Sequence, residues 1–346
     1  MVEAIKAPFP YFGAKSRAAD LIWDRLGDPP NYVEPFFGSG AVLLSRPTEA
    51  RLETVNDKCC FLSNFWRAVS MDSDAVAHHA DWPVNEADLH ARHLWLVNNA
   101  EFQERMKTDP EYFDAKIAGW WCYGLSAWIG SGWCQKTVEK RPSLGRSGRG
   151  VHRKLPQVGG SGRGDERLSL NAVSLDDRRD VGVSRQLPHL GNSGRGLNRA
   201  STNDLQEYFR QLQDRLRRVR VCCGDWTRVL GPSVTEKNGI TGIFLDPPYA
   251  GDTGRTDDLY SEDDLTISPK VREWAIANGD NPMLRICVAG YEGEHEFPPT
   301  WRKEQWKARG GYDGQNKDRD NQRRKLERLW FSPHCLKPMS LFEGAQ

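Results

Sequence analysis

The stretch Ile243-Phe-Leu-Asp-Pro-Pro-Tyr249 is the part of this 346-residue sequence that decides the fold. Three apolar residues followed by an aspartate and two prolines are typical of a buried parallel strand that ends abruptly. In open α/β sheets, ligands bind at the carboxyl ends of the strands. We therefore expect Asp246 at the binding edge of such a sheet, with the Tyr249 ring placed to stack on a planar ligand.

The polar groups of this stretch suit an exocyclic amine. The carboxylate of Asp246 accepts one N–H, the carbonyl of Pro247 accepts the other, and Pro248 stiffens the turn. The alternative interpretation is a strand followed by a proline turn that binds nothing.

A second motif, Glu34-Pro-Phe-Phe-Gly-Ser-Gly40, follows the strand candidate that begins at Asn31. Its glycines allow the backbone to approach a ligand at a helix N-terminus, but the third glycine of a dinucleotide fingerprint is missing. Asp57 closes the next strand candidate, 17 positions after Gly40. An acid there is placed to bind ribose hydroxyls, although a helix N-cap is the competing interpretation.

Two further stretches carry candidate binding residues. Tyr11-Phe-Gly-Ala-Lys15 offers a cation before the first strand, which suits a carboxylate but also describes an ordinary surface lysine. Cys223-Gly-Asp-Trp226 closes the strand that precedes Ile243. Asp225 suits an adenine amine and Trp226 suits its ring, whereas the simpler interpretation is a turn aspartate beside a core tryptophan.

The rest of the chain predicts α/β organisation with an insertion. Residues 72–118 have a helical pattern, and an amphipathic helix is expected over 202–218. The remaining expectations are strands at 220–223, 242–245 and 284–288, a crossover helix at 265–278 and a terminal hairpin from 299–309 and 326–331. The predicted domains are a catalytic part, 1–70 and 201–346, and an inserted region, 71–200.

The inserted region contains an aromatic cluster at 119–134 and a repeat. Each of three units, starting at Pro142, Pro156 and Pro188, reads Pro-x-(Leu/Val)-Gly-x-Ser-Gly-Arg-Gly-x-x-Arg. Such turns suit phosphate binding or guanine contacts, and a basic linker is the alternative. The candidate DNA-binding residues here are Trp128, Trp133, Arg149, Arg153, Arg163, Arg167, Arg195 and Arg199.

The overall charge conceals a local asymmetry. The formal net charge is only +1, from 48 Lys and Arg against 47 Asp and Glu. Residues 140–200, however, hold 13 Lys and Arg against 5 Asp and Glu. This local excess favours a nucleic-acid partner. No apolar run is long enough to span a membrane, and the eight cysteines form no Cys-x-x-Cys pair, so we expect a cytoplasmic protein without a metal site.

Taken together, these motifs resemble the Dam-type DNA adenine-N6 methyltransferases, especially the forms of phages and prophages. That family shows Phe-Gly-(Gly/Ala)-Lys, then Glu-Pro-Phe-x-Gly-(Ser/Gly)-Gly, an acid after the second strand, and Asp-Pro-Pro-Tyr. Residues 8–70 and 220–335 carry the likeness. The resemblance implies a Rossmann-like seven-stranded methyltransferase sheet that uses S-adenosylmethionine, acts on a flipped-out adenine in double-stranded DNA and works in the cytoplasm of a bacterial or phage-infected cell.

The resemblance also assigns roles to residues. It implies that Lys15 contacts the methionine carboxylate, that Asp57 holds the ribose, and that Asp246 to Tyr249 hold the target adenine. The residues implied in cofactor binding are Tyr11, Lys15, Glu34, Pro35, Phe36, Phe37, Gly38, Ser39, Gly40, Asp57, Asp225 and Trp226.

The sequence leaves other functions open. Cytosine-N4 methylation uses the same logic, more often with Ser-Pro-Pro-Tyr, and a DNA-binding protein without catalysis could keep the same fold. A nicotinamide-dependent oxidoreductase is disfavoured by the missing third glycine. The middle region departs from the family, because Trp128-Ile-Gly-Ser-Gly-Trp133 stands where relatives carry Arg and Asn. The target sequence and a partner restriction endonuclease stay open.

Overall fold

The structure is a computed structural model that describes residues 5–9, 15–48, 51–83, 85–128, 133–134, 202–248, 266–306 and 327–337. Within the range 202–248, side chains are described from residue 205 onward. Its centre is a mixed seven-stranded sheet in the order β3-β2-β1-β4-β5-β7-β6. The first five strands in this order are parallel, and β7 is antiparallel to both β5 and β6. The strands are β1 Asn31–Glu34, β2 Leu52–Asp57, β3 Val219–Cys223, β4 Thr241–Leu245, β5 Leu284–Tyr291, β6 Arg302–Gln305 and β7 Glu327–Phe331.

Helices cover both faces of the sheet. The helices of the described residues are α1 Ala19–Leu26, α2 Ala41–Leu44, α3 Cys60–Met71, α4 Ser73–Ala80, α5 Glu86–Val97, α6 Ala100–Thr108, α7 Ala115–Ala127, α8 Thr202–Leu216, α9 Pro232–Thr235 and α10 Ile267–Asn278. The predicted α/β class and the seven-stranded sheet are therefore confirmed. The short helix α9 is an addition that the sequence pattern did not predict.

The two sides of the sheet form two separate cores. Along β1, Tyr32 packs into the larger core, which also contains Phe244, whereas Val33 packs into the smaller core with Ile243. Neighbouring residues of a strand face opposite sides, so a strand buried on both sides must be apolar throughout. This explains the uninterrupted apolar run before Asp246.

A buried charge network lies beside β2. Glu53 is fully buried and accepts hydrogen bonds from Arg46 Nη1 at 3.1 Å and from Arg215 Nη1 at 2.6 Å. Arg46 also donates to Asp28 at 2.8 Å. Because α8 supplies Arg215, this network attaches the helix after the insertion to the strand before it.

Helix α7 continues through two glycines of the aromatic cluster. A Cβ on Gly119 would lie 2.4 Å from the His79 side chain, and one on Gly124 would lie 1.8 Å from the Trp133 ring. These positions therefore require glycine for close packing, although glycine disfavours helices. Helices α3, α4, α7 and α8 share the larger core with the sheet, and the boundary of the inserted region stays a prediction. No helix among the described residues is long and apolar enough to cross a membrane.

Candidate active site

Four loops meet at the carboxyl edge of the parallel strands. In the register of the sheet, Glu34 lies beside Val55, Asp57 beside Cys223, and Leu245 beside Val288. The loops that follow β1, β2, β3 and β4 therefore open on one edge. The loops after β1, β3 and β4 carry three of the selected motifs, and β2 ends at Asp57. The fourth motif, which contains Lys15, reaches the same edge from outside the sheet.

The glycine loop after β1 is held in a tight turn. Gly38 and Gly40 have φ angles of 51° and 69°, which favour glycine. A Cβ on Gly40 would lie 2.9 Å from the Phe37 ring. Phe37 and Ser39 are buried, so the loop presents mainly backbone and the half-buried Phe36 ring to the edge.

Asp57 is fixed by backbone donors on two sides. Its Oδ2 accepts a hydrogen bond from Gly38 N at 3.1 Å, and its Oδ1 accepts one from Cys59 N at 2.9 Å. Burial raises the pKa of this carboxyl to about 6, and the backbone donors offset only part of the rise. A carboxylate has about four acceptor sites, so Asp57 is still able to accept a ligand hydroxyl beside its backbone donors.

A pocket opens beside Asp57 between the ends of β1, β2 and β3. Its volume is about 280 Å³. The Phe36 and Trp226 rings, with centroids 6.0 Å apart and planes at 29°, form an aromatic wall. The residues that line the pocket are Pro35, Phe36, Asn56, Lys58, Gly224, Asp225, Trp226, Thr227, Ile267 and Lys270.

Asp225 lies at the mouth of this pocket and begins a short 3₁₀ turn. Its Oδ1 accepts a hydrogen bond from Thr227 N at 3.0 Å. The pKa of Asp225 is lowered, first by the hydrogen bond from the Thr227 hydroxyl and further by the nearby Lys58 and Lys270. The contacts of Asp225 are therefore those of a residue that caps a turn. Its carboxylate is also exposed, so it is available to a ligand.

Asn56 is a pocket residue that the sequence analysis did not select. Its Nδ2 donates to Pro35 O at 3.1 Å and to Gly224 O at 3.0 Å, so it joins the loops after β1 and β3. Its Oδ1 is buried and has no hydrogen-bond partner. An unpaired buried acceptor in a pocket wall is satisfied when a ligand donor arrives. In the sequence, the only indication that Asn56 belongs to the site was its position between an apolar run and Asp57.

Lys15 and Asp246 form an ion pair at the end of β4. The Lys15 Nζ lies 3.0 Å from Asp246 Oδ2, and the lysine side chain is 2% exposed against 19% for the aspartate. Pro247 is buried and Pro248 is half-buried. The centroid of the Trp306 ring lies 6.0 Å from the lysine Nζ. Lys15 is therefore not an ordinary surface lysine.

Glu34 is buried beneath the glycine loop. It is 2% exposed, and its Oε2 accepts a hydrogen bond from the Tyr32 hydroxyl at 2.9 Å. Burial raises the pKa of Glu34 well above its usual range, which the hydrogen bond from Tyr32 only partly opposes. This carboxyl supports the loop from the core side, together with Tyr32.

The two tryptophans selected for DNA contact lie in the helical layer. Trp128 stacks on His93, with ring centroids 5.1 Å apart. The Trp133 ring covers Gly124, and its Nε1 donates to Trp121 O at 3.0 Å. Both rings therefore have helix-packing contacts and are not brought to the edge of the sheet.

Other selected residues lie outside the described part of the chain. These are Tyr11, Tyr249 and the repeat arginines Arg149, Arg153, Arg163, Arg167, Arg195 and Arg199. Within the described ranges, no group of three or more His, Cys, Asp or Glu side chains is arranged to hold a metal ion.

Residues 11–116 match the family model of the D12 class N6 adenine-specific DNA methyltransferases. This part of the chain is similar to that class. The match covers just under a third of the chain and includes β1, β2 and the helices up to the start of α7, and the remaining strands complete the methyltransferase sheet. No curated protein matches the chain. The resemblance to Dam-type enzymes is confirmed, and the match supports an enzyme that methylates adenine N6 in DNA.

Proposed function

We propose that the enzyme transfers the methyl group of S-adenosylmethionine to the N6 atom of a flipped-out adenine in double-stranded DNA at this edge of the sheet. The observation that carries the proposal is the Lys15–Asp246 pair, at 3.0 Å, at the same edge of the sheet as the pocket lined by Asn56 and Trp226. A methyl donor and an amine acceptor require two neighbouring subsites, and these groups supply one each.

The pocket residues fit the adenosine part of S-adenosylmethionine. Trp226 and Phe36 offer aromatic surface to the adenine, and Asp225 offers an acceptor for its amine. Asp57 and the unpaired Oδ1 of Asn56 offer acceptors for ribose or adenine donors. The bound sulfonium would supply an activated methyl group, whose transfer needs no metal.

Asp246 and Pro247 are the proposed acceptors for the target amine. The N6 lone pair of adenine is delocalised into the ring and is therefore a weak nucleophile. Two acceptors on the N–H groups favour a tetrahedral nitrogen with a localised lone pair, which stabilises the transition state and aligns the nitrogen with the methyl group. The amine lies inside the base stack of a duplex, so the adenine must be flipped out to reach Asp246.

Lys15 is proposed to position Asp246 and to contact the methionine carboxylate. The ion pair fixes the direction of the Asp246 carboxylate. An ammonium group has three N–H donors, so one contact with Asp246 is compatible with a second acceptor. The lysine would thus connect the donor and acceptor subsites.

Recognition of DNA is proposed for the inserted region, 71–200, with phosphate or guanine contacts from the repeat arginines at 142–199. Trp128 and Trp133 would then stabilise this region through their packing contacts.

The described cysteines are all free thiols, which agrees with the proposed cytoplasmic location. A restriction endonuclease partner is left as an open proposal.

The test is transfer of a tritiated methyl group from S-adenosylmethionine to unmethylated duplex DNA. We expect Asp246→Asn to lose roughly 100-fold or more in rate while its cofactor affinity is kept, because the loss of one preorganised acceptor typically has effects of this size. Asp24→Asn, an exposed change on α1, is the matched control. N6-methyladenine in the digested product identifies the base. A rate for Asp246→Asn within threefold of wild type would contradict the proposal.

A further inference from the structure

A cluster of unpaired hydrogen-bond donors lies in the helical layer, away from the edge of the sheet. Its centre is Arg92 on α5, which is 8% exposed. The guanidinium carbon lies 4.8 Å from the centroid of the Trp82 ring, and 5.3 Å from those of Trp120 and Tyr123. We call these four residues, with Lys116, the Arg92 cluster.

Two of the three guanidinium nitrogens of Arg92 have no acceptor among the described residues. Its Nε and Nη1 atoms are buried and make no hydrogen bond, and no carboxylate of the described ranges pairs with the guanidinium. Asp88 lies one turn earlier on α5, but it is exposed and forms no ion pair with Arg92. The guanidinium therefore lies against three aromatic rings and forms no ion pair with a described residue.

The neighbouring side chains add donors and another cation. The indole Nε1 atoms of Trp82 and Trp120 are also buried without a partner. Lys116, which is exposed, holds its Nζ 4.5 Å from the Trp120 ring centroid and 4.9 Å from that of Trp95. Trp95 is 41% exposed and contacts Trp120 edge to face. The patch thus runs from solvent to the buried arginine and offers donors and positive charge.

Such an arrangement is costly for the protein on its own. Buried polar groups are nearly always hydrogen-bonded, and a buried charge without a counter-charge is strongly unfavourable. Cation–π contacts with three rings recover part of this cost. Bound water would satisfy N–H groups but would not neutralise the charge. An anion with several acceptor oxygens satisfies both requirements.

We propose that the Arg92 cluster binds a backbone phosphate of the DNA substrate. A guanidinium fork matches phosphate geometry, and aromatic side chains beside cations are typical of surfaces that follow a nucleic-acid strand. The proposal rests on the DNA-methylating function, which supplies the anionic partner. It adds to the enzyme a contact that orients the duplex and carries no sequence information.

The test is the salt dependence of duplex binding for Lys116→Gln and Arg92→Gln, measured by fluorescence anisotropy. Loss of one phosphate contact lowers the slope of log K against log salt by about 0.9. The affinity difference between wild type and each variant should therefore shrink about 3.5-fold between 50 and 200 mM salt. Lys237→Gln is the matched control, since this exposed lysine precedes β4 at the opposite edge of the sheet.

The expected pattern has three parts. Both variants bind DNA more weakly on any sequence, their KM for DNA rises while kcat at saturating DNA is kept, and their affinity for S-adenosylmethionine equals that of wild type. Slopes equal to that of Lys237→Gln would overturn the proposal. A lower melting temperature of Arg92→Gln together with an unchanged slope for Lys116→Gln would also overturn it, because that result would mean that Arg92 only stabilises the fold. Methyl transfer by the wild type is tested separately, so failure of the proposed function is distinguishable from failure of this site.

Discussion

Replacing Asp57 with asparagine tests the proposal that this carboxylate, at the end of β2, holds the ribose of S-adenosylmethionine. Burial raises the pKa of Asp57 to about 6, so the carboxylate is the main form at pH 7 and the protonated acid is the main form at pH 5. A ligand hydroxyl that donates to Asp57 needs the ionised form. We therefore expect the affinity for S-adenosylmethionine to fall about tenfold from pH 7 to pH 5, or about 1.4 kcal/mol.

The direction of this change separates binding from folding. The pKa of Asp57 is higher in the folded state than its usual value of 3.8, so the folded state holds this proton more tightly than the unfolded state. The contribution of this group to stability is then present below about pH 3.8 and is lost as the pH rises through about 6. Weaker binding at pH 5 is therefore not caused by unfolding linked to Asp57.

The measurement is isothermal titration of S-adenosylmethionine between pH 5 and 7.5. Asp57→Asn should bind more weakly at pH 7 and show no dependence on pH in this range. The pKa of Asp225 is lowered, so its charge stays constant. The pKa of Cys223 is lowered, first by its hydrogen bond with the Cys60 thiol, so Cys223→Ser serves as a control and should keep the wild-type slope. A wild-type affinity that is constant within twofold from pH 5 to 7 would refute the reasoning.

Two further predictions concern stability, measured by urea unfolding. Glu53→Gln removes the buried carboxylate shared by the buried Arg46 and the half-buried Arg215, so we expect a loss of about 3–5 kcal/mol, against almost none for the exposed Glu273→Gln. A loss below 1 kcal/mol would show that the network is not needed. Gly124→Ala forces the Trp133 ring away from a Cβ that would lie 1.8 Å from it, so we expect a loss of about 1–3 kcal/mol. Gly231→Ala, whose Cβ meets nothing within 4 Å, is its control, and equal stability of the two variants would contradict the packing argument.

The sheet was predictable because its central strands are buried on both sides. The runs at 243–245 and 284–288 contain apolar residues without interruption, and such runs indicate buried parallel strands. The strand ends were predictable from polar residues and glycines directly after them. Asp57, Asp225 and Asp246 were found in this way, because the carboxyl ends of parallel strands meet at one edge.

Other features depend on contacts between residues distant in the chain. The pairing of Lys15 with Asp246 joins two segments on either side of the insertion, and no local pattern encodes it. Asn56 matters because it donates to Pro35 and Gly224, which a single sequence does not place together. The continuation of α7 through Gly124 could likewise not be predicted, since glycine disfavours helices. Only the packing of the Trp133 ring explains why glycine stands there.

Strands β2 and β3 are neighbours in the sheet, and this determines how well the enzyme tolerates changes in the length of the chain between them. Asp57 and Cys223 are partners in neighbouring parallel strands, so the chain leaves the sheet and returns one strand away, a separation of about 4.8 Å. The entropy of closing such an excursion grows slowly, by about 0.6 kcal/mol for each doubling of its length. We therefore expect changes in the length of the segment between 135 and 201 to cost the sheet little stability.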